Sequence, residues 1–294
     1  MPSIHDFDRV IDRQATESAK WHYYDSDVLP LWVADMDFPS PEPVTRALRE
    51  RVEHGIFGYG VEPPGLRDTI VDRLQELYGW QVPCEALIFV PGVVTGFNLA
   101  TRAVTTPGDG VLVQTPVYFP MLHAPANHGC ALDEMELTRM PDGRYEIDFD
   151  AFEAAITERT RIFHLCSPQN PVGRVFRQEE LERMAEICLR HDVVICSDEI
   201  HCDLIFQGHQ HLPIASLAPE IADKTVTLIA PSKTYNIAGL KSSIAIIQNP
   251  ELRKQYEGAR GGLVPAVNIL GQLATLAAYR DGQSWLDDVL LYLE

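Results

Sequence analysis

The chain alternates between two spacings of apolar residues. Helical spacing covers residues 43–54 and 66–78, where Leu66, Ile70, Leu74 and Leu77 share a face. Short apolar runs at 87–90, 110–114, 162–166, 193–197, 225–229 and 243–247 read as strands. Between them, a helix opens after Gly92 and runs to about Val104. Another covers 178–191, with Leu181, Met184, Ala185, Cys188 and Leu189 on one face. Apolar strands alternating with helices predict an α/β fold, a mainly parallel sheet sandwiched by helices. Residues 1–42 lack such a period. They form an irregular arm in which Trp21, Tyr23, Tyr24 and Trp32 are spread among acids and prolines. An arm this aromatic is expected to pack on something, a partner subunit included. The predicted organisation is an arm over 1–42, a large domain over 43–283, and the start of another helix over 284–294.

Composition narrows the function classes. Hydrophobic content of 46% over 294 residues suits a globular core. A formal charge of −18 argues against nucleic acid, because phosphate binding needs clustered Lys and Arg, and it favours solubility. No positive-then-apolar leader pattern and no run of membrane-spanning length is visible, so no membrane partner is expected. Six scattered cysteines, none in a C-x-x-C pair, fit reduced thiols and a cytoplasmic location. His201 and Cys202 adjoin, but no third and fourth ligand stands at suitable spacing, so no metal site is expected.

The chemistry lies at the strand ends. Ligands of parallel sheets collect at the carboxyl ends of the strands. Asn170 in SPQNPVG, Asp198 in CSDEIHCD and Lys233 in APSKTYNIAGLK each follow an apolar run, in that order. These three types match what pyridoxal phosphate requires: an amine for covalent attachment, a carboxylate for the pyridinium nitrogen, and an amide for the ring oxygen. Taken singly, each has a plainer reading: a surface lysine, an N-cap acid, an Asn-Pro turn. Gly92, Val93 and Val94 join a strand to a helix, where backbone N–H groups are free to meet an anion. Glu199 is the rival acid to Asp198.

Together with LPLWVADMDFPSP and HGIFGYG, these motifs resemble fold type I, class I/II aminotransferases. They are most similar to the bacterial C–S β-lyase, or cystathionine β-lyase, branch. The resemblance implies pyridoxal 5'-phosphate as cofactor and Lys233 as its catalytic anchor. It implies cofactor contacts from Tyr59, Gly92, Val93, Val94, Tyr118, Asn170, Asp198, His201, Ser232 and Lys241. Tyr118 would cover the pyridine ring, and Tyr59 would reach the phosphate in a neighbouring subunit. A homodimer with shared active sites follows. The first acid of the Asp198–Glu199 pair would be the cofactor's partner.

Three positions depart from the aminotransferase pattern. Ala230 stands where many relatives have serine, with Ser232 the nearest hydroxyl. Lys241 replaces an arginine, and His201 replaces a tyrosine. A lysine neutralises phosphate as a point charge but lacks the bidentate fork. These departures favour the lyase branch. The implied reaction is cleavage of cystathionine or a related cysteine S-conjugate to a thiol, pyruvate and ammonia. Transamination of an amino acid and an inactive binding or regulatory role stay open.

SWLDDVLLYLE reaches Glu294 with no Gly or Pro stop. The resemblance implies a helix leading into a smaller C-terminal domain that carries the arginine for the substrate carboxylate. On that expectation the chain is a fragment or truncated product with little activity. The apolar face of the helix, Trp285, Val289 and Tyr292 among others, would then lack a packing partner.

Overall fold

A computed structural model describes residues 5–294. Among the described residues nine strands form: β1 (Leu87–Val90), β2 (Gly110–Thr115), β3 (Ala131–Glu136), β4 (Thr138–Arg139), β5 (Tyr145–Glu146), β6 (Thr160–Cys166), β7 (Val194–Asp198), β8 (Thr225–Ile229) and β9 (Ser243–Ile246). Seven of them make one sheet in the order β1-β9-β8-β7-β6-β2-β3, and β4 pairs with β5. The run from β3 to β8 is parallel. Strand β9 is antiparallel to both β8 and β1. The mainly parallel, helix-covered sheet expected from the apolar spacing is the one observed.

Successive strand residues point to opposite faces, so continuous apolar runs bury both. On one face, Ile88, Val90, Val111, Val113, Ile162, Cys196, Val226, Leu228 and Ala245 form a core with helices Val93–Val104, Phe119–Asn127 and Pro250–Ala259. On the other, Leu87, Phe89, Ile244 and Ile246 pack with Leu66–Tyr78 and Ile269–Asp281. There Leu112, Phe163, Leu165 and Ile195 pack with Gln178–Arg190. The helix Val93–Val104 lies close on β8 because residue 96 is glycine. A Cβ there would come within 2.8 Å of the Leu228 side chain.

Strand β3 was not expected. Its sequence, ALDEME, is half polar and half-exposed, as suits an edge strand that carries no buried run. Leu77 is exposed rather than on the buried face of its helix. The next position of the four-residue row after Leu74 is Tyr78, which packs on the core instead. Gly79, at φ 64°, then ends the helix in a left-handed cap.

The terminal segment overturns another expectation. Trp285 and Val289 have a packing partner. In the helix Gln283–Leu293, Trp285, Leu286 and Val289 are buried. Phe7 of the arm sits edge-on against Trp285 with ring centroids 5.8 Å apart, and against Phe38 at 5.0 Å. Leu291, Tyr292 and Leu293 are exposed. The arm is also tied to itself. Arg13 donates to Asp35 and Asp37, Lys20 to Asp37, and Trp21 to Asp37. Among the described residues no helix is long and apolar enough to cross a membrane.

Candidate active site

Strands β6, β7 and β8 are adjacent and parallel, so their carboxyl ends form one edge of the sheet. Asp198 is the last residue of β7, in register with Cys166 of β6 and Leu228 of β8. Asn170 follows the end of β6. Lys233 follows the end of β8, in a single helical turn, Pro231–Thr234. Connections of different length thus deliver three distant residues to one edge.

The two acids of the DE pair sit in different environments. Glu199 is buried and fully engaged. It accepts from Ser197 Oγ at 2.8 Å and Ile214 N–H at 3.3 Å, and its other oxygen meets His211 Nε2 at 2.8 Å. The buried Asp198 accepts one backbone hydrogen bond, from Ile200 N–H at 3.1 Å, although a carboxylate can accept several. Burial pushes the Asp198 pKa from 3.8 up to about 7. Glu199 adds to the rise, and the Ile200 N–H and Lys233 oppose it. An under-bonded buried carboxylate of this kind is chemically suited to a cationic ring nitrogen.

The Lys233 amine lies within electrostatic reach of Asp198, Asp35 and Lys241. It donates to the Ala34 carbonyl at 2.9 Å. Burial lowers its pKa, with Asp35 and Asp198 pulling the other way. His201 is held down to about 4, first by burial and then by Lys233. Tyr118 caps the helix Phe119–Asn127, and its pKa is raised by burial and then by Asp198. The structure therefore brings together Lys233, Asp198, His201, Tyr118 and Lys241. Asn170 and His201 line a common cavity of about 430 Å³ with Arg174, Leu204 and Phe206.

Gly92 adopts φ 111° and opens the helix Val93–Val104, with Val93 buried and Val94 exposed. The first N–H groups of such a helix have no partner within it. A Cβ at position 92 would meet nothing within 4 Å, so glycine serves the backbone angle rather than close packing. Ser232 is buried in the lysine's helical turn, and Lys241 is exposed at φ 52°. Tyr59 is fully exposed in an apolar loop with Ile56, Phe57 and Val61. The chain's own folding does not bring it to the other residues.

Ala34 and Asp35 of the arm also stand by Lys233, with Asn236 of the following turn holding that arm segment in place. Asn236 takes φ 55° and binds the arm segment by both ends of its amide. It accepts from Met36 N–H at 3.0 Å and donates to Met36 O at 2.9 Å and Phe38 O at 2.8 Å. The motif LWVADMDF was the available signal, but spacing alone gave it no contact.

The pattern described as aminotransferase class I and II matches residues 26–290. The chain belongs to that family. It is 43% identical to cystathionine beta-lyase PatB of Bacillus subtilis, over 98% of this chain and 76% of the relative. The crystal structure of cystalysin from Treponema denticola, which contains a pyridoxal 5'-phosphate cofactor, superposes with a TM-score of 0.94 at 35% identity. That match covers 98% of this chain and 75% of that one. The PLP-bound C–S lyase from Staphylococcus hominis gives a TM-score of 0.91 at 35% identity, covering 98% and 74%.

Proposed function

We propose that this protein is a pyridoxal-phosphate-dependent C–S β-lyase. Its substrate class is cystathionine or a related cysteine S-conjugate, and its products are a thiol, pyruvate and ammonia. The observation that carries the reading is the pairing of a buried, under-bonded Asp198 with the Lys233 amine at adjacent strand ends. The 43% identity to a cystathionine β-lyase selects the lyase over the transaminase.

The chain's donors and charges fit the cofactor. Lys233 would anchor it, and the Asp198 carboxylate would hold the positive charge on its ring nitrogen. The Asn170 amide would donate to the ring oxygen, beside His201. The Gly92, Val93 and Val94 segment, with Ser232 and Lys241, would receive the phosphate, and Tyr118 would cover the ring. When bound, pyridoxal phosphate supplies an electron sink for the pair released as a bond to the substrate's α-carbon breaks. The Lys233 Nζ is the base that takes the α-proton. Burial favours this by lowering its pKa, so that more of the amine is neutral near pH 7. Glu199, with both oxygens engaged, serves the scaffold. Tyr59 completes the site of a second copy in a two-fold dimer, and a cytoplasmic location fits six free cysteines.

The test is to supply cystathionine and the cofactor with no keto acid. A lyase releases pyruvate and ammonia in equal amounts. A transaminase needs the keto acid and releases no pyruvate. A chain that develops no visible absorbance with the cofactor is a different kind of protein.

A further inference from the structure

The turn that carries Lys233, Pro231–Thr234, is too short to hold its own orientation. Its internal backbone bond is Tyr235 N–H to Pro231 O at 2.9 Å. Something outside it must fix where the amine points. On the solvent side, Ala34 and Asn236 do so through the arm. Beneath it, the fully buried Thr234 hydroxyl donates to Asp203 Oδ2 at 3.0 Å. The other Asp203 oxygen accepts from Arg73 Nη2 at 2.8 Å. This ion pair is largely buried, with side-chain exposures of 13% and 4%. Arg73 in turn stacks over the Tyr279 ring at 5.1 Å and donates to Gln283 at 3.1 Å.

These contacts close a circuit. Asp198 stands opposite Leu228 in the β7–β8 ladder. From Asp198 the chain runs five residues to Asp203, and from Leu228 five residues to Lys233. The Asp203–Thr234 hydrogen bond joins the two far ends. The backbone segments that bear Asp198 and Lys233 therefore form one closed ring, completed by the Asp203–Thr234 hydrogen bond.

We propose that Asp203, itself fixed by Arg73, is the positioning residue for Lys233, acting through the Thr234 hydroxyl. The importance of this positioning rests on the reading that Lys233 and Asp198 serve the same bound cofactor.

The experiment compares Thr234→Val, Thr234→Ser and Asp203→Asn with the unmodified chain. Thr234→Val removes only a hydroxyl. Asp203→Asn leaves Arg73 without its counter-charge, so it is interpreted only where far-UV circular dichroism matches the parent. The first readout needs no cofactor. Acetic anhydride labelling of each lysine is followed by peptide mass spectrometry across pH, with Lys254 as internal reference. The groups facing the Lys233 amine are Asp35, Asp198, His201 and Lys241, and all are retained. Thr234→Val should release the amine toward solvent. The Lys233 labelling midpoint should then rise, because the desolvation that lowers its proton affinity is relieved. Thr234→Ser should restore it. An unchanged Lys233 midpoint in folded Thr234→Val overturns the proposal.

The second readout adds pyridoxal phosphate and records visible circular dichroism first, then reduces with borohydride so that the signal can be expressed per labelled chain. Retained labelling of Lys233 with a weakened visible signal in Thr234→Val supports positioning. A signal equal to the parent's overturns it. If the parent itself labels no Lys233 peptide while the acylation shift stands, the positioning holds and the cofactor reading falls.

Discussion

Asn236 and Met36 bind each other reciprocally across 200 residues of sequence, N–H to amide oxygen at 3.0 Å and amide nitrogen to carbonyl at 2.9 Å. The pair fastens the arm over the loop that carries Lys233, and it places Ala34 where its carbonyl receives the lysine amine. Asn236→Ala removes the Phe38 hydrogen bond as well and puts alanine at φ 55°. The expected loss is about 1–3 kcal/mol from the orphaned groups. Asn236→Gly tolerates the angle and isolates the hydrogen-bond loss. Urea unfolding of both variants measures it, and full stability in each would show that the clamp contributes nothing.

The two adjacent acids should behave differently. The cofactor-free chain holds the Asp198 pKa at about 7, against 3.8 for an ordinary aspartate. The folded state thus binds this proton more tightly than the unfolded state does. The resulting stability is full below about pH 4 and is lost as pH rises through about 7. Asp198→Asn carries no such charge, so its advantage over the parent should grow between pH 5 and pH 8 by a few kcal/mol, on the order of one to three pKa units. Urea midpoints at the two pH values test the sign. Turnover of the same variant should fall by orders of magnitude, because a neutral amide cannot hold the pyridinium by charge. Near-normal turnover with saturating cofactor would sink Asp198 as the partner. Glu199→Gln should instead destabilise the fold, since its carboxylate serves Ser197, Ile214 and His211.

Lys233→Ala should abolish borohydride-trappable cofactor. Peptide mapping after reduction should place the label on the Lys233 peptide in the parent and on no lysine in the variant. A label at another lysine would assign the anchor elsewhere.

Shared sites make a separate prediction. Inactive Tyr59→Phe and inactive Lys233→Ala subunits, mixed and allowed to exchange, should regain part of the activity, because each hybrid then holds one intact site. No recovery after proven exchange would mean that each site is built within one chain.

The terminal helix offers a packing test. Trp285 is buried against Phe7 and near Tyr235. Trp285→Ala should cost about 3–5 kcal/mol, the range for deleting a large buried aromatic side chain. A urea midpoint equal to the parent's would show that this helix and the arm are not part of the cooperative fold.

The sequence by itself determined the strands and what stands at their ends. Apolar runs bounded by turns located six of the seven strands of the main sheet, because a strand buried on both faces must be apolar throughout. It also set the order Asn170, Asp198, Lys233 at those ends. The half-exposed edge strand β3 escaped, since its polar residues carry no such requirement. The choice between Asp198 and Glu199 was not decided by spacing. Nor does spacing report the neighbours that fold around each carboxylate: only in three dimensions do Ser197, His211 and Ile214 engage Glu199 and leave Asp198 with a single backbone donor. The same holds for Asn236 on Met36, Asp203 under Thr234, and Phe7 on Trp285. Local period reports which face of an element is buried. It does not report which distant segment covers that face, because that depends on how the connections return along the sheet.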